Sequence, residues 1–264
     1  MACFIELTAA DGHKMRAYSA GAPDQPRGLV LCHGHAGLNG HIRRVADRMA
    51  AAGFYVIAPA LFDRAEPGLE LSYSSSDRAR GHAVAAGIST EDTMRDVAAA
   101  AAAFGKEDPV GILGYDFGGT VAWHAAARLD VFRAAVCFYG SGIADARHET
   151  PLCPTQLHVG EYDSQISLAQ IEAIHKAVPS VAMEVYQGAG HGFACGALES
   201  FNPAAAELAY DNTLAFLRQH MNGARRPTAP VQAANDAVAV PPPPAAEKPP
   251  MPERRVAFGR RAFG

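Results

Sequence analysis

Gly111-Ile-Leu-Gly-Tyr-Asp-Phe-Gly-Gly-Thr120 decides how this chain is read. An apolar run from Val110 leads into Gly114-Tyr115-Asp116-Phe117-Gly118, and a helix-forming run over 121–129 follows. The order is strand, sharp turn, helix, with glycine two residues before and two residues after the central position. This is the pattern of a nucleophile elbow, which strains its central residue and exposes it at a strand end. Glycine at both flanks removes the Cβ atoms that would keep strand and helix apart. The central residue of such turns is usually Ser, or Cys in some families. Here it is Asp116.

On the N-terminal side, Gly28-Leu-Val-Leu-Cys-His33 and Phe54-Tyr-Val-Ile-Ala58 are short, wholly apolar runs, as in the buried middle of a parallel sheet. Between them lie the loop Gly34-His35-Ala36-Gly37-Leu38-Asn39 and an amphipathic helix over 42–52, stopped by Gly53. Residues 2–7 and 13–19 alternate around Asp11-Gly12 and read as a hairpin. Residues 61–88 carry no clear period and read as an irregular excursion over the sheet. Ser89 or Thr90 caps a helix, with Glu91 and Asp92 in its first turn, that runs to Phe104. Beyond the elbow, strands are expected over 132–139, 155–160 and 181–186, and helices over 168–177 and 204–220. Strands alternating with helices at this spacing make an α/β fold with a doubly wound, mostly parallel sheet and right-handed crossovers.

The chain divides by composition into a domain over 1–222 and a tail over 223–264. The tail holds Pro241-Pro-Pro-Pro244 and ends in two Arg/Phe/Gly clusters, and is expected to be disordered; any partner of it is unspecified. A formal net charge of −4 gives no sign of nucleic acid or of an anionic membrane as partner. Five scattered cysteines without metal-ligand spacing read as reduced thiols of a cytoplasmic protein. Neither a signal peptide nor a run long enough to span a membrane is visible.

Three chemical residues fall at strand ends in the order nucleophile, acid, histidine. Asp116 sits at the elbow, Asp163 ends His158-Val-Gly-Glu-Tyr-Asp163, and His191 lies in Gly190-His191-Gly192-Phe193. That is the chain order of an α/β-hydrolase triad, and ligand sites in such sheets lie at the carboxyl ends of strands. His191 is the candidate base and Asp163 its orienting acid, with Glu161 as the competing carboxylate. The backbone N–H groups of Phe117 and His35 are the expected oxyanion hole. His33, His35 and His41 crowd one loop, but His-x-His alone does not make a metal site, and no cofactor is expected.

The chain resembles the dienelactone hydrolase family, of carboxymethylenebutenolidase type, over roughly residues 5–220. The resemblance is carried by Gly37-Leu38-Asn39, Gly53-Phe-Tyr-Val-Ile-Ala-Pro59 with Leu61, Gly114-Tyr115-x-Phe117-Gly118-Gly119, Phe138-Tyr139-Gly140-Ser141-Gly142, Gly160-Glu161-Tyr162-Asp163 and Gly190-His191-Gly192-Phe193. It implies the α/β-hydrolase fold and a small-molecule substrate. The departures are concerted. The family's nucleophilic Cys falls on Asp116, the carboxylate that controls that thiol falls on Gly34, and a substrate-binding arginine falls on Cys195. Arg78 or Arg80 is the candidate for the family's other carboxylate-binding arginine.

An aspartate is ionised at neutral pH and needs no base to activate it. On an ester carbonyl it would form an anhydride and expel a poor alkoxide leaving group. On a saturated carbon bearing a halide, or on an epoxide, it forms an alkyl–enzyme ester that His191 and water then hydrolyse. This division of labour resembles haloacetate and haloalkane dehalogenases and epoxide hydrolases. Tyr73, Tyr139 and His35 are candidate donors to the leaving group, and Trp123 is weighed as a substrate contact against a place in the core. Three readings stand: a haloacid- or epoxide-cleaving enzyme, an ester or lactone hydrolase, and a catalytically silent binding protein.

Overall fold

Alternation along each strand sends successive side chains to opposite faces of a sheet, and here both faces are apolar and both are covered. The computed structural model describes residues 2–105 and 108–222. The strands are β1 (Cys3–Thr8), β2 (Lys14–Ala20), β3 (Gly28–Cys32), β4 (Tyr55–Pro59), β5 (Val110–Tyr115), β6 (Phe132–Phe138), β7 (Thr155–Tyr162) and β8 (Ala182–Gly190). They form one eight-stranded sheet in the order β1-β2-β4-β3-β5-β6-β7-β8. The β1–β2 and β2–β4 pairs are antiparallel, and every other pair is parallel.

The helices are α1 (Gly40–Ala51), α2 (Ser75–Ala86), α3 (Thr90–Ala102), α4 (Phe117–Arg128), α5 (Leu168–Ala177) and α6 (Pro203–His220). Val30 and Cys32 of β3, with Ile112 of β5, pack against Val97 and Ala100 of α3 and Val121 and Trp123 of α4. Leu29, Leu31 and Leu113 turn the other way, onto Ile42 and Met49 of α1 and Leu217 of α6. The strand period of two thus divides the core into two layers, one on each side of the sheet.

The expected elements are present. The last strand runs on to Gly190, so His191 stands immediately beyond its end. The segment over 61–88 is more ordered than its sequence suggests: a 3-10 turn, Leu61–Arg64, anchors it through buried Leu61 and Phe62, and α2 follows. Helix α2 buries only Gly81, so it has no apolar stripe for a periodicity argument to find. Its one local signal is Ser74, whose hydroxyl accepts the Asp77 N–H as an N-cap. The tail over 223–264 lies outside the described residues. Among those residues, no helix is long and apolar enough to cross a membrane.

Candidate active site

The elbow is built from close contacts that only glycine permits. A Cβ on Gly114 would stand 1.8 Å from the Gly118 carbonyl oxygen, and one on Gly118 would stand 2.3 Å from that of Cys32. Strand β5 and helix α4 can therefore meet at an angle that throws Asp116 into φ 56°, ψ −115°, a region costly for a residue with a side chain. Asp116 projects into a cavity of about 810 Å³ at the carboxyl ends of β3, β5, β7 and β8. A cavity of this size suits a small-molecule ligand.

His191 stands between two carboxylates. Its Nδ1–H faces Asp163 at 3.0 Å from Oδ2 and 3.1 Å from Oδ1, and its Nε2 lies 3.4 Å from Asp116 Oδ1. Asp163 is buried, and its Oδ1 is fixed by the backbone N–H groups of Gln165 at 2.8 Å and Ile166 at 3.0 Å. Glu161 instead accepts the Gly188 N–H, so Asp163 is the carboxylate that orients His191. Burial alone would lower the His191 pKa, but the nearby charges of Asp116 and Asp163 outweigh burial and raise it to about 9. Burial likewise pushes the Asp116 carboxyl up, and His191 and His35 overcome that and hold it well below the usual carboxylate range. The resting pair is a carboxylate and an imidazolium.

The second oxygen of Asp116 is held separately. Oδ2 accepts the backbone N–H of His35 at 3.1 Å and the Nδ1–H of the same residue at 2.7 Å. Oδ1 is buried beneath His191 and takes no hydrogen bond. Gly34 makes room for this arrangement, since a Cβ there would come within 3.1 Å of both Asp116 Cβ and Oδ2. The His35 ring packs against His82 of α2 at a tilt of 35°, with centroids 3.7 Å apart. Beneath it, Gly81 approaches so closely that a Cβ would stand 1.9 Å from the His35 carbonyl oxygen. Phe117, the other expected oxyanion donor, opens α4, whose first N–H groups have no acceptor within the helix.

Of the remaining sequence candidates, Tyr73, Tyr139 and Arg78 line the cavity, and Cys195 does too. Tyr73 accepts a bond from Asn39 Nδ2 at 3.2 Å, which ties α1's N-cap residue to the segment before α2. Tyr139, at φ 36°, packs edge-on against the His191 ring at 5.2 Å. Arg78 is exposed and makes no ion pair among the described residues. Two candidates are corrected. Trp123 is wholly buried in the α3–α4 layer and donates its indole N–H to the Ala146 carbonyl at 3.1 Å, so it offers no face to a substrate. Arg80 lies outside the cavity and pairs with Glu66. His33 is structural as well. It is buried, donates through Nδ1–H to Gly34 O at 2.8 Å and accepts the Leu61 N–H at 3.0 Å. His82 was not legible beforehand, because nothing in the sequence of α2 marks which of its residues meets the site.

Comparison with known proteins identifies the family and the fold. The model of the dienelactone hydrolase family matches residues 15–221. A Synechocystis protein provisionally named a carboxymethylenebutenolidase is 32% identical over 193 residues, covering 66% of this chain and 78% of its own. The carboxymethylenebutenolidase of Pseudomonas putida is 27% identical over 225 residues, covering 81% of this chain and 94% of its own. A crystal structure from Klebsiella pneumoniae, provisionally assigned as a dienelactone hydrolase, superposes with a TM-score of 0.70 at 21% identity. It covers 82% of this chain and 99% of its own, a likeness of fold.

Proposed function

The chain belongs to the dienelactone hydrolase family and is a carboxymethylenebutenolidase-like hydrolase; from its departure at the elbow, Asp116, we propose that it hydrolyses its substrate through an alkyl ester of that residue. The substrate class is a small haloacid or an epoxide. One observation carries the reading: the elbow carboxylate lies with Oδ2 on the His35 N–H, the donor expected to receive an oxyanion. An ester carbonyl would have to displace a carboxylate from that donor. An alkyl ester of Asp116 keeps its own carbonyl oxygen there.

The reaction then runs in two halves. Oδ1, which takes no hydrogen bond, attacks the saturated carbon once the substrate has parted it from His191. The carbon–oxygen bond forms as the halide leaves with the bonding pair, or as the epoxide oxygen leaves and takes a proton from solvent. Arg78, exposed at the cavity and unpaired among the described residues, suits the carboxylate of a haloacid. Alkylation removes the charge of Asp116 and with it one of the two attractions that keep His191 protonated. The imidazolium gives its proton to solvent and becomes a base. Water adds to Cγ of Asp116, its proton passes to His191 Nε2, and the electron pair moves onto Oδ2. Collapse expels Oδ1 with the product alcohol, which takes the proton back. The oxygen of water stays in Asp116.

Single turnover in ¹⁸O-water tests this with haloacetates, epoxides and activated esters. Label in the Asp116 peptide, together with halide release or epoxide opening, is the expected result. Ester turnover without label would return the protein to lactone or ester chemistry, the reading that the names of its relatives favour.

A further inference from the structure

The expected roles of His35 were a backbone N–H in the oxyanion hole and a donor to the leaving group, yet its side chain lies on the same Asp116 oxygen as its backbone N–H. We propose that the His35 imidazole is a catalytic group of the second half-reaction. Its Nδ1–H and its own backbone N–H together clamp Asp116 Oδ2 as that atom becomes the oxyanion of ester hydrolysis. This rests on the alkyl–enzyme reading and assigns a reacting-atom contact within it.

Four observations support the clamp. The two donors of one residue lie 3.1 and 2.7 Å from Oδ2, so a single loop position supplies both bonds. Gly34 is the residue that admits the carboxylate, because a Cβ there would touch Oδ2. The ring is held on its far face by His82, and the backbone beneath by Gly81, so α2 fixes the orientation of the imidazole. Both His35 donors fall on Oδ2, so the clamp leaves Oδ1, the attacking oxygen, facing only His191. During hydrolysis, water forms a bond to Cγ and the carbonyl pair moves onto Oδ2. The two donors then face a full negative charge in place of a polarised carbonyl. Fixed donors act most strongly on charge that develops in the transition state. The groups facing the ring are Asp116 at 2.7 Å, His82 from α2 and Phe117 from α4.

The test uses the full chain with His35→Leu and His35→Asn, and bromoacetate and glycidol as probes. Asn keeps an N–H near the position of Nδ1, and Leu does not. With His35→Leu, alkylation stays within about tenfold of wild type, while ester hydrolysis slows roughly 100- to 1,000-fold. Intact mass spectrometry of quenched single turnovers then shows the ester accumulating. His35→Asn restores much of the hydrolysis. Equal hydrolysis rates in wild type and His35→Leu, with ¹⁸O entering Asp116 in both, overturn the proposal and leave the alkyl–enzyme reading intact. Turnover without label in the wild type, or no turnover on either probe, overturns the reading and the proposal with it. The clamp is also read without mutation or turnover. In wild-type protein carrying ¹⁵N-histidine, the His35 ring must hold its proton on Nδ1 in a strong hydrogen bond; a ring protonated only on Nε2 overturns the proposal whatever the reaction.

Discussion

Replacing Asp163 by Asn removes one of the two charges that hold His191 protonated. The imidazole has an ordinary pKa of about 6.5 and stands at about 9 in the fold, a difference worth about 3 kcal/mol. The two carboxylates, at 3.0 and 3.4 Å, supply that amount and also offset what burial takes away, and the His191 side chain is only 13% exposed, so solvent screens it little. Loss of Asp163's charge therefore removes at least about half, about 1.5 kcal/mol or somewhat more, and lowers the His191 titration by at least about one unit. Because the folded pKa is raised, this stability is fully present below about pH 6.5 and is lost as pH rises through about 9. At about pH 6 the variant should melt about 3–6 °C below wild type, and at about pH 10 the gap should narrow to what the neutral hydrogen bonds leave. Melting curves at both pH values and an NMR titration of His191 measure this. A gap of equal size at both, or a wild-type His191 that titrates near 6.5, refutes the reasoning.

Gly81→Ala should disturb function far more than stability. The new Cβ would stand 1.9 Å from the His35 carbonyl, so α2 must lift from the site, but α2 buries no apolar side chain. We expect kcat/KM to change at least about tenfold and Tm by no more than a few degrees, from steady-state kinetics and calorimetry. Acid should destabilise the fold below about pH 6.5, because burial lowers His33 to about 4 and His158 to about 3. Both rings are neutral in the fold and protonated in the unfolded chain at mildly acid pH. Their contribution is present above about 6.5 and drains away towards pH 4 and below, as urea titrations across that range will show. Trp123→Phe should cost about 1–2 kcal/mol through the lost bond to Ala146 and the lost volume, with kinetics unchanged; altered substrate affinity would put Trp123 back in the site.

Much of this fold could be read from the chain because its signals are local. The apolar runs of β3 and β5 demanded a sheet covered on both faces, and the glycines around Asp116 announced the tight turn before any coordinates. Asp163 and His191 were legible by their order along the chain and their places at strand ends. The rest depended on packing between distant segments. Helix α2 meets the site through a glycine and a tilted imidazole contact, neither of which leaves a periodic trace. Arg80 was a candidate because it lies two residues from Arg78, but positions two apart on a helix point about 200° apart, towards nearly opposite faces, and its partner is Glu66. Trp123 followed the elbow by a short helical distance, yet the helix face that carries it turns into the core. His35 was legible as a donor, but that its ring meets Asp116 rather than a leaving group was not, because the motif that singles out its position specifies a backbone group.

The 3.1 Å approach between a would-be Gly34 Cβ and Asp116 makes these two positions epistatic. The resemblance to the family's thiol enzymes places a Cys at 116 with a carboxylate at 34. From the present pair, Gly34→Glu alone sets a second carboxylate against an occupied oxygen, crowding it and repelling its charge. Asp116→Cys alone yields a thiol without the acidic neighbour that governs it. The two substitutions should therefore be non-additive: the paired change Gly34→Glu with Asp116→Cys should cost less stability than the sum of the single changes, since it removes the carboxylate that the new side chain would meet.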